Sequence, residues 1–212
     1  MKAERSSRSA SRNPHQSQER ILDAALREFA AKGFAGARVD AIARRARINK
    51  RMLYHYFGDK DRLFREVLRR KLSERSAWLA SAPEDAGDSL AYWFRLACND
   101  IDWVRLLEWE ALQGDSRELI EEEHRRVNVR RAIDRLRRQQ AEGLLPSEYD
   151  PGQLLLTMMS LTAYPLAFPQ LTRLITGMEV SDPAFQAQRE KFLRLMGRAI
   201  RRKPREGAPG TD

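Results

Sequence analysis

The sequence predicts an all-α fold, with three short helices at the N-terminus and a larger helical region behind them. Three observations carry this. Apolar residues recur at helical spacing, as in Ile21, Ala25 and Phe29. Glycines and Asp-Pro pairs punctuate the chain at intervals that suit helices. No segment alternates apolar and polar residues as a half-buried strand would, and no internal repeat appears.

Residues 1–17 are rich in Ser and Arg and lack apolar periodicity, so they read as a disordered basic arm. Its Lys2, Arg5, Arg8 and Arg12 either graze DNA, as other basic arms do, or serve a solubilising tail. The first helix is expected from Gln18 to Lys32, with Leu22 and Leu26 beside the apolar stripe and Gly33 as its stop. Two short helices follow, Val39–Ala46 and Lys50–Tyr56, the second capped by Asn49. Gly58 and Asp59 break the chain. A longer helix begins near Lys60 and puts Leu63, Phe64, Val67, Leu68 and Leu72 on one face.

Pro83 and Gly87 mark the next loop. Further helices are expected at about 86–98, 101–113, 116–141, 151–168 and 183–202. Gly114, Gly143 with Pro146, and Gly177 separate them. Asp150-Pro151 and Asp182-Pro183 each offer an N-cap followed by proline at the first helical position. Residues 203–212 read as a disordered tail. The domains are placed at 18–64 and 65–202.

With 42% hydrophobic residues in 212, the chain can bury a real core. Its single cysteine, Cys98, allows neither an intramolecular disulfide nor a cysteine-based metal site, which fits a reducing compartment. No apolar stretch follows the N-terminal charges, so no signal peptide is expected. The longest apolar run, Leu154 to Phe168, falls short of the roughly 20 residues that span a bilayer and contains Pro165. A soluble, cytoplasmic protein is expected.

The net charge of +9 is unevenly placed. Residues 1–60 hold 14 Lys/Arg against 6 Asp/Glu, whereas residues 61–212 hold 25 against 24. A local basic excess is the electrostatic footprint of phosphate contact, though a solvated basic surface would look the same. Enzyme chemistry finds little to use. The histidines are His15, His55 and His124, and there is no Gly-rich phosphate loop, metal motif or nucleophile elbow. No catalytic residue, cofactor or metal is expected.

Three short helices with a tight turn between the second and third describe a helix-turn-helix. In that geometry the third helix enters the major groove with its N-terminal residues near base edges. It needs polar or basic residues at its start and apolar residues on its inner face. Lys50 and Arg51 open this helix, and Leu53 and Phe57 can face the core with Val39 and Ile42. Tyr54, His55 and Tyr56 supply hydroxyl and imidazole groups on the DNA side.

Residues 18–68 resemble the N-terminal domain of the TetR family of bacterial regulators. The resemblance rests on Gly33-Phe34, on Val39-Asp40-Ala41-Ile42-Ala43, on the run Asn49 to Lys60 with Leu53-Tyr54-His55-Tyr56-Phe57, and on Leu63-Phe64. It implies that Lys50, Arg51, Met52 and His55 face the groove, and that Tyr54, Tyr56 and Lys60 meet phosphates. A lysine at a helix N-terminus makes independent sense there. The chain departs from the family pattern twice. Arg38 stands where a capping Thr is usual, and Arg47 stands where the turn usually has Gly. Either arginine could touch the DNA backbone.

Beyond residue 70 the resemblance is one of layout, and implies a larger helical effector-binding and dimerisation domain. Residues 154–168 are apolar nearly all round, and Phe185, Phe192, Met196, Ala199 and Ile200 form a stripe. Homodimerisation is therefore expected through residues 151–169 and 183–202. A pocket for an apolar or amphipathic small molecule has Trp93, Cys98, Trp103, Trp109, Met158, Met159 and Tyr164 as candidate lining, each of which would serve equally as ordinary core. Pro165 frees a carbonyl and either opens space for a ligand or shapes the bundle. The seven arginines from Arg125 to Arg138 read as a solvated face. The expected function is a repressor released from a palindromic operator by an effector. The alternative is a related DNA-binding protein that has no small-molecule inducer and is architectural or protein-regulated.

Overall fold

The computed structural model describes residues 14–112 and 119–200. The expected arm over 1–13, the helix ends at 113, 116–118 and 201–202, and the tail over 203–212 lie outside the described residues. Those described form ten helices and no strand. They are α1 (Pro14–Gly36), α2 (Val39–Ala46), α3 (Lys50–Phe57), α4 (Lys60–Ala80), α5 (Ala86–Asn99), α6 (Ile101–Leu112), α7 (Glu122–Ala141), α8 (Pro151–Ala167), α9 (Pro169–Thr176) and α10 (Pro183–Ile200).

The chain divides into two compact units inside α4, between Leu68 and Arg69. The helix runs on without a linker, and Val67 and Leu68 are still buried, so no composition change marks the division. In the first unit α1 packs on α2, and α2 on α3. Ile21, Ala25, Phe29, Ile42, Leu53, Leu63 and Val67 are all buried, as their spacing requires. The Phe29, Phe34 and Phe64 rings meet at 4.9–6.2 Å. Helix α1 starts at Pro14, four residues earlier than the sequence suggests. A proline suits the first helical position, and Ser17 is buried. Gly33 does interrupt the helix, at φ 68.

In the second unit α5 is central, packing against α6, α8 and α10. Leu90 and Phe94 of α5, Val104, Leu166, Phe185 and Leu193 form the main core. Helices α5 and α10 touch backbone to backbone. A Cβ on Gly197 would lie 2.2 Å from Gly87 N, and one on Gly87 would lie 2.5 Å from Arg194 O. Gly87 is therefore a packing residue inside a helix, not a loop marker. Ion pairs of Arg95 with Glu190 at 2.9 Å and of Arg194 with Asp88 at 3.1 Å tie the same two helices together.

Helix α7 begins at Glu122 rather than 116. Glu121 sits at φ 57, which a right-handed helix cannot continue through, and its carboxylate pairs with Arg69 at 2.8 Å. The arginine-rich face of α7 is only partly solvated. Arg125 is bidentate to Glu110, and Arg135 donates to the carbonyls of Leu79, Ala82 and Pro83 at 2.6–3.3 Å. Arg135 thereby reaches one carbonyl in the last turn of α4 and two in the loop that follows it.

Pro165 has no N–H to give to Leu161 O. Arg189 of α10 donates to that freed carbonyl at 2.7 Å, so the proline ties α8 to α10. Helix α9 was not expected. It turns 90° from α8, and Thr172 Oγ1 holds the bend by donating to Pro165 O at 3.0 Å. Among the described residues no single helix is long and apolar enough to cross a membrane.

Candidate nucleic-acid interface

Helix α2 enters through Arg38, whose side chain makes no capping bond. The loss is offset from α1. The Glu28 carboxylate is 3% exposed, pairs with Lys32 at 3.1 Å and accepts the Arg38 N–H at 3.3 Å. Burial pushes this carboxyl up. The Lys32 bond, the Arg38 N–H and the charges of Lys32 and Arg45 outweigh that and bring it below the usual range. The sequence reading missed Glu28. Its signal was a carboxylate adjoining the apolar stripe, four residues before a lysine.

The turn closes on Arg47 at φ 55, ψ 46, the left-handed conformation that glycine adopts freely. Arg47 N–H donates to Arg44 O and Ile48 N–H to Ala43 O, the paired bonds of a Schellman motif. Asn49 then caps α3, its Oδ1 accepting the Met52 N–H at 2.7 Å. Asp59 does the same for α4 through Arg62 N–H at 2.7 Å. These caps fix the direction of both helices from sequence-local chemistry.

Leu53 is the fully buried side chain of α3 and anchors it, with Phe57 half-buried at its end. The opposite face exposes Lys50, Arg51, Tyr54 and His55. Met52 and Tyr56 are half-buried, and the Tyr56 ring lies 5.6 Å from His55 and 6.5 Å from Phe57. Lys50 is not a free cation, for its Nζ pairs with Asp40 at 2.9 Å. That hydrogen bond, with the Asp40 charge, raises the Lys50 pKa. Lys60 Nζ donates to Ala35 O at 3.3 Å and sits 4.8 Å from the Phe34 ring centroid. Ammonium groups keep further donors, so both lysines retain capacity for an acceptor from outside. Arg44, also exposed, adds to this basic surface.

The expected effector-pocket residues are scattered. Cys98 and Met158 meet on the main core, where burial, and then the Glu190 charge, push the Cys98 thiol up to about 11. Trp93 packs on Tyr92, at 5.5 Å, and Trp109 is half-buried. Trp103 is buried beneath two guanidiniums, Arg75 at 4.9 Å and Arg125 at 5.9 Å. Arg75 also covers Trp78 and pairs with Asp100, which Lys71 holds at 2.9 Å. Burial lowers Arg75 to about 10, and raises Asp100 against the pull of Lys71 and Arg75. Met159 and Tyr164 lie on the outside of α8, because helical geometry turns them away from Leu154, Thr162 and Leu166. A pocket of about 190 Å³ lies elsewhere, lined by Glu84, Asp85, Ala86, Gln139, Leu144 and Leu145.

Comparison with known proteins follows the same division. Residues 21–67 match the family model of bacterial regulatory proteins, tetR family, and residues 88–202 match the tetracyclin repressor-like C-terminal domain. The chain is 31% identical over 168 residues to the HTH-type transcriptional repressor SCO4008 of Streptomyces coelicolor, covering 79% of this chain and 88% of that protein. The crystal structure of SCO4942 from Streptomyces coelicolor superposes with a TM-score of 0.73 at 26% identity, over 89% of this chain and 99% of that one. The ketosteroid transcriptional regulator KstR2 of Mycobacterium tuberculosis, 18% identical, shares the fold with a TM-score of 0.64, over 88% of this chain and 95% of that one.

Proposed function

The chain belongs to the TetR family of bacterial regulatory proteins, and from that premise we propose that it is a cytoplasmic transcriptional repressor. It holds a palindromic operator as a homodimer and releases it when a small molecule binds the helical second unit. The carrying observation is α3, an anchored and capped helix that exposes Lys50, Arg51, Tyr54 and His55 on one side and buries Leu53 on the other. Arg51, His55, Lys50 and Met52 read base edges. Tyr54, Tyr56, Lys60, Arg38 and Arg47 hold the backbone. Footprinting on the DNA flanking the protein's own gene tests this. A protected palindrome is expected, and uniform protection at any sequence would overturn it.

A second reading is favoured by one observation. Trp103 is closed over by Arg75 and Arg125, and Met159 and Tyr164 face outward, so the residues expected to hold an effector do not enclose one. On this reading the protein is a family member without a small-molecule inducer. A thermal-shift screen of metabolites separates the two. Compounds that both bind and release DNA support the first reading, and linkage requires DNA to weaken them equally.

A further inference from the structure

The second unit holds a cluster of charges and indoles drawn from α4, α6 and α7. Helix α4 brings Lys71, Glu74, Arg75 and Trp78, while Asp100 and Trp103 stand where α5 passes into α6. Two tryptophans share one cation. The Arg75 guanidinium carbon lies 4.9 Å from the Trp103 ring centroid and 5.4 Å from that of Trp78. Lys71 sets its ammonium 5.8 Å from Trp78, and Arg125 sets a second guanidinium 5.9 Å from Trp103. Cations are attracted to aromatic faces, most strongly to Trp and where water is excluded, which is how aromatic cages hold organic cations. Asp100 completes the set as a carboxylate only 11% exposed, 3.4 Å from Arg75 and 2.9 Å from Lys71. The fold thus displays a cation cage that its own arginine fills.

Arg75 is held less firmly than its neighbours. Its ion pair with Asp100 is long, at 3.4 Å, whereas Lys71 reaches the same carboxylate at 2.9 Å and Arg125 is bidentate to Glu110 at 2.8 and 3.0 Å. Burial works against its charge. Its side chain keeps 21% exposure and Trp78 is only half-buried, so the cage has an open side. Charge then selects the ligand class. Lys71, Arg75 and Arg125 are matched by Glu74, Asp100 and Glu110. When Arg75 swings out to water, one carboxylate is left over. An incoming cation restores the balance. A neutral molecule leaves that carboxylate unmatched, and an anion adds to the excess. We propose that Trp78, Trp103 and Asp100 form a cage for a planar organic cation of the amidinium or guanidinium type, with Arg75 as its displaceable occupant. This rests on the reading that a small molecule binds the second unit, and it names the chemical class of that molecule. Trp103 encloses no ligand because the arginine stands in the ligand's place.

The test titrates benzamidine into the full chain by calorimetry, with benzamide and benzoate as its neutral and anionic counterparts. Arg75→Ala vacates the cage. Trp78→Leu removes one wall, and Asp100→Asn removes the carboxylate at constant shape. Arg130→Ala, on an exposed position of α7, is the control for a lost arginine. Circular dichroism checks folding, and Trp78→Leu, at a half-buried position, carries the test if Asp100→Asn does not fold. One saturable benzamidine site per chain is expected in wild type and control, with benzamide and benzoate at least about tenfold weaker. Arg75→Ala should bind benzamidine about tenfold more tightly, since the competing side chain is gone, and Trp78→Leu and Asp100→Asn about tenfold more weakly or not at all. Benzamidine that saturates Arg75→Ala but not wild type would make Arg75 a permanent part of the core and overturn the proposal. So would equal binding of benzamide, or binding that neither Trp78→Leu nor Asp100→Asn weakens. A parallel arm measures affinity for the duplex protected in footprinting. Wild type that binds benzamidine in the cage yet keeps that duplex as tightly leaves the site standing and sinks release through it. A metabolite that frees the duplex equally from wild type and Trp78→Leu supports release by an effector and overturns the cage as its site.

Discussion

Arg47 shows how one residue can trade stability against binding. Its left-handed backbone costs about 1–2 kcal/mol that glycine would not incur. Arg47→Gly removes this strain but frees the unfolded chain by about 0.4–1 kcal/mol. Chemical denaturation should therefore find the variant between unchanged and about 1.6 kcal/mol more stable. Its DNA affinity should fall through the salt-dependent part, because a cation near the backbone is lost. A variant that unfolds more readily by over about 1 kcal/mol contradicts the strain. Lys60→Ala should weaken all DNA sequences alike, whereas Arg51→Ala or His55→Ala should relax preference at particular base pairs by about 1–3 kcal/mol. Selection of binding sites from a random library reads the difference. Both family departures, Arg38 and Arg47, were legible because each stands at a turn position with a known backbone demand. Glu28, which makes the first tolerable, was not, since its partner is a backbone N–H ten residues away.

At the scale of elements, α5 and α10 carry the second unit. Gly197→Ala would push a methyl group into the Gly87 backbone and should cost about 1–3 kcal/mol by thermal denaturation. Arg189→Ala should cost a similar amount, about 1–3 kcal/mol, by stranding Leu161 O. The Arg95 hydrogen bonds, with the charges of Arg95 and Arg194, hold the Glu190 carboxyl below the usual range. A depressed acid stabilises the fold above its unfolded pKa and loses that contribution as pH falls through the folded value. Wild type should thus lose stability below the ordinary Glu range, and Glu190→Gln should flatten that acid limb while being less stable at pH 7. Equal acid slopes in the two proteins would remove Glu190 from the account. Helix periods and caps made most of these elements readable. Helix α9 escaped because it is only eight residues long and its apolar residues, Leu171, Leu174 and Ile175, are exposed, so no buried stripe marks it. The glycine contact escaped because closeness between residues 87 and 197 leaves no local trace.

For the whole molecule, the all-α class and the order of the two units were readable from periodicity and charge. Helix α4 crosses the division unbroken, so no linker marks it in the composition. The proposed homodimer rests on surfaces that one chain leaves uncovered. Helix α8 buries Leu154 and Leu166 yet exposes Leu156 by 59% and Met159 by 54%. Helix α10 buries Phe185 and Leu193 yet exposes Phe192 by 45% and Leu195 by 53%. An apolar face of this kind on two neighbouring long helices suits a twofold, self-complementary contact, in which each substitution appears twice. Leu156→Glu with Leu195→Glu should therefore place four unpaired carboxylates in the dimer contact, at a cost of several kcal/mol each when desolvated. These positions are exposed in the single chain, so the variant should keep its helical circular dichroism. Sedimentation should find wild type as a dimer and the variant as a monomer. Two recognition helices spaced roughly 34–36 Å apart gain affinity by acting together, so the monomer should bind the operator about a hundredfold more weakly or worse. A folded variant that remains dimeric would place the contact on another surface. A monomer with full operator affinity would show that one α3 suffices, and the palindrome would have to be abandoned.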